Sequence, residues 1–273
     1  MNCITKTRNG EEMISDHLPR ETGVGGFLRF VTTALVILFI GIPLSIHAAP
    51  LNDTGITTCS DNTTNGLPCP QTGFLGQDAE YGRDAAATAG TLSKIGSGRA
   101  GFDFTKLGAG GNELPASATE WFCVRDNVTG LIWEVKTDDG GLRDKDNTYT
   151  WYNPDPATNG GNAGTQNGGT CTGSACDTYG YAQAVNSQVL CGYSDWRLPW
   201  LEELRSIVDY STPSPSTTVD TAYFPNTIYG WFWSALPDAS GSGRAWLVYF
   251  GNGGDGTAYK SNSRHVRLVR GGQ

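Results

Sequence analysis

Apolar residues recur along the chain in three patterns, and each predicts a different kind of element. Between residues 30 and 46 they are nearly continuous, interrupted only by Thr32, Thr33, Gly41, Pro43 and Ser45. Elsewhere they alternate with polar residues, or fall at one-turn intervals. Alternation with β-branched and aromatic content predicts strands at 101–107, 123–126, 129–135, 149–152, 230–234, 244–250 and 264–270. An Asp126-Asn127 turn joins the second and third of these, and a glycine-rich turn over 251–256 follows the sixth. Helical spacing appears twice. Tyr181, Val185 and Val189 lie four apart, after Asp177 or Thr178 as a cap, and predict a helix to about Leu190. Leu201, Leu204, Ile207 and Val208 predict a second within 195–209, with Pro199 at its first turn, where a fixed φ and a missing N–H cost nothing. Two helices among many short strands give an α+β fold with antiparallel pairing, not a βαβ repeat.

The pattern also divides the chain. Arg29, the apolar run and the small residues Ala48-Ala49 have the order of a secretory signal, so 1–49 reads as a cleaved signal peptide, with a retained N-terminal anchor as the rival. Residues 50–120 read as a cysteine-containing extension and a Gly/Ala/Ser-rich linker, and 121–273 as the dense domain. Within that domain, 153–177 is a long Gly/Asn-rich loop; such loops are functional or mobile.

Export changes the reading of the cysteines. Outside the leader there are six, Cys59, Cys69, Cys123, Cys171, Cys176 and Cys191. In an exported chain these make three disulfides, out of 15 possible pairings. The preferred set joins Cys59 to Cys69 and Cys171 to Cys176, closing short loops, and Cys123 to Cys191, stapling a strand to a helix end. Histidine is scarcer: only His265 follows the leader, so Ser/His/Asp or Cys/His catalysis has one imidazole to draw on. The reading is therefore a non-enzyme with no catalytic residue and no cofactor.

Charge narrows the partners. The net charge is −8 and no lysine/arginine block stands out, which argues against nucleic acid. Asp138, Asp139, Asp144 and Asp146 form an acidic cluster, but without the spacing or closing glutamate of a calcium loop, so no metal site is assigned and calcium stays an unsupported option. If Trp246, Val248 and Phe250 face the core, Leu247 and Tyr249 face outward. With Trp231, Asn252, Asp255, Tyr259 and Asn262 they form a candidate ligand-binding surface of aromatic and amide groups, chemistry suited to recognition.

Five stretches carry a resemblance: Asp126 to Glu134, with Trp133; Asp195-Trp196-Arg197-Leu198-Pro199 with Glu203-Leu204; Tyr223-Phe224-Pro225-Asn226; Trp233-Ser234; and Val266 to Gly271. In that order they resemble the family of the C-terminal domain of the Legionella collagen-like protein, over roughly 121–271. The resemblance implies a C-type-lectin-like fold, two helices on a twisted antiparallel sheet, and a binding or adhesion role on a C-terminal surface. Trp200 stands where that family usually has a capping Thr or Ser, so Trp200 should pack or face a ligand. The ligand expected is a glycan or a protein. Membrane contact would run only through an uncleaved N-terminal segment, and oligomer formation is open. The alternatives are a structural envelope component without a soluble ligand and, on weaker ground, a thiol oxidase related to the formylglycine-generating enzymes.

Overall fold

The computed structural model describes residues 52–271. The apolar 30–46 run and the expected processing site lie outside the described residues; within them no helix is long and apolar enough to cross a membrane. In chain order come α1 (Gly82–Thr88), β1 (Phe104–Leu107), β2 (Glu113–Leu114), β3 (Cys123–Asp126), β4 (Ile132–Glu134), α2 (Thr178–Ser187), α3 (Leu201–Arg205), β5 (Trp231–Pro237), β6 (Arg244–Tyr249), β7 (Gly254–Tyr259) and β8 (Val269–Arg270). Every strand pairing is antiparallel, in a five-stranded sheet ordered β2-β1-β3-β4-β8 and a three-stranded sheet ordered β5-β6-β7. The fold is α+β.

Alternation along these strands does not separate core from solvent; it separates two cores. On β3 and β4, Val124 and Trp133 join one apolar cluster with Leu204, Val248 and Phe250, while Cys123 and Ile132 join another with Tyr181, Val185, Trp196 and Trp233. Both sheets are thus covered on both faces near their centres. The segment read as a linker is built into this arrangement, since β1 pairs along its length with β3 and Phe104 lies in the first cluster.

Three disulfides staple the fold, Cys59–Cys69, Cys123–Cys191 and Cys171–Cys176, and they are compatible with an exported chain. Reaching Cys123 shapes the end of α2. Asp177 caps it by accepting the Gly180 N–H at 2.7 Å, but it ends at Ser187 and the chain reverses through left-handed Val189 and Cys191. Val189, expected on the buried face, is therefore exposed.

The second expected helix is also shorter. Arg197 exchanges backbone hydrogen bonds with Val269 at 2.9 Å, and the Pro199 carbonyl accepts the Ala235 N–H at 2.7 Å, so 197–199 are held extended. Pro199 precedes the cap residue Trp200 and is not the first helical residue. Leu201, Leu204, Ile207 and Val208 are all buried as the spacing requires. Residues 149–152 and 264–268 form isolated bridges in place of continuous strands: Tyr149 pairs with Arg264, while Phe232 pairs with His265. The 264–270 segment passes from one sheet to the other, so it cannot follow one partner throughout.

Two buried polar groups tie distant segments together, and the first holds this crossing. The Glu134 carboxylate accepts the Tyr181 hydroxyl, the Lys136 ammonium at 3.2 Å and the Leu268 N–H at 2.9 Å, which replaces its hydration. Lys260 is 2% exposed, and its ammonium donates to the carbonyls of Asn159, Asn162 and Ser242 at 2.7–2.8 Å. Those bonds hold the 153–168 loop, with the ammonium over the Trp151 ring.

Candidate functional site

The surface expected at the C-terminal strands is divided by register. Residues directly opposite in an antiparallel pair share a face. Trp231 pairs with Tyr249, and their rings lie 4.9 Å apart, with Tyr229 5.4 Å from Tyr249. Asp255 pairs instead with Val248 and Tyr259 with Arg244, which puts both on the opposite face. Asp255 there meets Arg205 at 3.4 Å, and Tyr259 lies beside the Arg244 guanidinium. Leu247 is 2% exposed because the second core covers it, so it cannot line a surface. Asn252 and Asn262 shape turns: the Asn252 side-chain oxygen accepts the Gly254 N–H, and the Asn262 N–H donates to the Tyr259 carbonyl. Of the seven residues, only Trp231 and Tyr249 form a ring platform, and Tyr229 extends it.

A better-formed site lies elsewhere, where α2 meets the 195–200 turn. Its builders are backbone clamps. The Thr178 hydroxyl accepts the Tyr152 N–H and donates to the Tyr152 carbonyl, both at 2.9 Å. The Asn186 amide grips the Trp196 backbone on both sides, at 2.7 and 2.9 Å. One helix thus holds both neighbouring segments, leaving a cleft of about 330 Å³. Trp151 and Trp196 are buried at its base; Tyr152, Tyr179, Gln183 and Trp200 stand around it. Tyr179 and Trp200 remain 45% and 44% exposed, and both border the same cleft. The Tyr152 and Tyr179 rings meet edge to face, 6.2 Å apart at 85°.

Among the described residues, Arg197 is the only ionised one lining the cleft, and it is already engaged. Its terminal nitrogens donate to the two Glu203 oxygens at 2.8 and 2.7 Å, and one also reaches the Gly271 carbonyl at 2.9 Å. Glu203 further accepts the Trp200 N–H at 2.8 Å. This is half of a capping box; the indole of Trp200 has no acceptor to supply the other half. Trp200, freed from capping, points its ring at the cleft. The sequence signal for this site was that one departure, whereas Tyr152, Tyr179 and Gln183 carried none.

The remaining motif residues are structural. Trp133 and Trp233 are fully buried. Asp195 takes a two-point bond from Arg270 at 2.8 and 3.1 Å, which holds its carboxyl below the usual carboxylate range. In the acidic loop, Asp144 accepts the N–H groups of Asp139, Gly140 and Asp146, and Lys145 bridges Asp138 and Asp146. Among the described residues, Asp53, Asp78 and Asp84 bring three carboxylates within 4.8 Å of one another. Burial, and then Asp53, push the Asp84 carboxyl above its ordinary value. Its oxygens already accept the Gly55 and Gly101 N–H groups.

An α+β scaffold with two stacked cores, three disulfides and an aromatic cleft is the class of protein these features define. Residues 122–270 match the model of the Lcl C-terminal domain, and the chain belongs to that family, whose function is not known. Comparison with curated proteins and with solved structures returns no significant match.

Proposed function

We propose that this chain is an exported, non-catalytic binding module of C-type-lectin-like arrangement that takes its glycan or protein ligand in the cleft between α2 and the 195–200 turn. The observation that carries the reading is the half-exposed pair of rings, Tyr179 and Trp200, standing over a preorganised cleft in which no ionised group is free to do acid–base work. Aromatic rings on a rigid frame give contact area at little entropic cost. The rival thiol oxidase is disfavoured because all six described cysteines are consumed in disulfides.

Binding of the purified chain to panels of neutral glycans, sulfated glycans and matrix proteins, with calcium or with chelator, tests the reading. Saturable binding lost in Trp200→Ala is the expected result. Binding that survives Trp200→Ala and is lost in Trp231→Ala would move the site to the Trp231–Tyr249 platform, and binding to no panel member would count against a recognition role altogether.

A further inference from the structure

Resting on the cleft as the binding site, we infer that its ligand is an uncharged sugar ring, a neutral hexopyranose or the end of a neutral oligosaccharide, and not a sulfated or otherwise anionic polymer. Charge is the first argument. A site for sulfate or carboxylate needs a cation with donors to spare, and the one cation here has both terminal nitrogens on Glu203. An entering anion would have to displace that carboxylate or sit beside it, in a chain that already carries −8.

Shape and hydrogen bonding are the second. A pyranose presents an apolar C–H face and a rim of hydroxyls that both donate and accept. The cleft offers ring surfaces at two orientations, since Tyr152 and Tyr179 stand at 85°, and Trp200 lines it as well. Four polar heads make no hydrogen bond to the rest of the described protein: the Gln183 amide, the Tyr152 and Tyr179 hydroxyls and the Trp200 indole N–H. Three of these can both donate and accept, and the fourth donates. That mixture suits hydroxyl groups. A proline-rich segment, whose polar atoms are carbonyl acceptors, would leave the Gln183 oxygen unmatched. The volume, about 330 Å³, lies at the small end of ligand sites, which run from roughly 300 to 1,000 Å³, and suits one or two rings.

The test uses the full chain with three kinds of probe: methyl glycosides and disaccharides of neutral hexoses and N-acetylhexosamines, heparin, and decaproline. Tryptophan fluorescence and saturation-transfer NMR report binding. At least one neutral glycoside should bind saturably, with an affinity unchanged when salt is raised about tenfold. Trp200→Ala and Gln183→Ala should each weaken it by about tenfold or more. Tyr179→Ala, at an exposed position on α2 while Trp200 lies in the turn before α3, should do the same, so a folding fault in one variant cannot imitate the result. Heparin binding that falls with salt and is lost in Trp200→Ala would overturn the neutral-sugar assignment while keeping the cleft as the site, and so would decaproline binding lost in the same variant. Neutral-sugar binding indifferent to all three substitutions would overturn both the assignment and the cleft. Failure of every neutral glycoside to bind would overturn the assignment alone, leaving the wider panels to judge the binding role.

Discussion

Arg197 and Glu203 meet through two parallel hydrogen bonds, and through them the start of α3, the cleft wall and the C-terminal strand become one unit. The pair does more for position than for charge. Arg197→Lys keeps the charge but cannot span both oxygens and the Gly271 carbonyl, so it should lower stability by about 1–3 kcal/mol, measured by urea unfolding. Glu203→Gln should cost a similar amount. A loss of ligand affinity in either variant without a loss of stability would show that the pair touches the ligand directly.

The disulfides should differ in value. Cys123–Cys191 closes a span of 68 residues and Cys171–Cys176 one of 5, and the constraint on the unfolded chain grows with the span. Replacing Cys123 and Cys191 together by Ala should cost about 2–5 kcal/mol, and the same change at Cys171 and Cys176 clearly less. Non-reducing thermal unfolding of the two double variants would decide it; equal losses would mean that loop geometry outweighs chain entropy.

His265 gives the fold a pH dependence of definite sign. Burial pushes its imidazole below the ordinary 6.5, outweighing the hydrogen bond with the Asn147 carbonyl. Because the folded value is the lower one, the unfolded chain takes up the proton first. Stability present above about pH 7 is therefore lost as pH falls through 6.5 towards the lower folded value. His265→Gln should flatten the stability curve as pH falls below about 7. An unchanged slope in that variant would assign the dependence to carboxylates.

The register of β6 predicts opposite outcomes for two residues that read alike in sequence. Leu247→Ala removes a buried side chain and should cost about 2–5 kcal/mol. Tyr259→Ala removes an exposed ring, 66% accessible, and should stay within about 0.5 kcal/mol. Chemical denaturation of the two variants is sufficient to check both.

Local order was readable in the chain. The strands around Asp126-Asn127, the buried face of α3 and the Asp177 cap follow from spacing and short-range chemistry, and the two disulfides that close short loops follow the preferred pairing. What failed depends on distant packing. The start of β7, Gly254-Asp255-Gly256, reads as part of a turn, yet Gly256 is small for a tertiary reason: a side chain there would meet the Trp231 ring at 3.3 Å. α1 was hidden in an Ala- and Gly-rich segment with no apolar stripe. Alternation along β6 separates Leu247 and Tyr249 from Val248 and Phe250 but does not say that both faces are covered, so the burial of Leu247 is not legible in it. The cleft itself draws on segments around 152, 179 and 200, and their meeting is a matter of docking, which no single window of sequence contains.

Lys260 has a consequence for the conditions under which such a site persists. Three converging carbonyl oxygens around a buried cation are the kind of cage that elsewhere in proteins is filled by a dissolved ion. Here the cation is attached to the backbone. The loop carrying Tyr152 and Asn153 is tethered by a charge that the chain itself carries and that neither dilution nor chelation can withdraw.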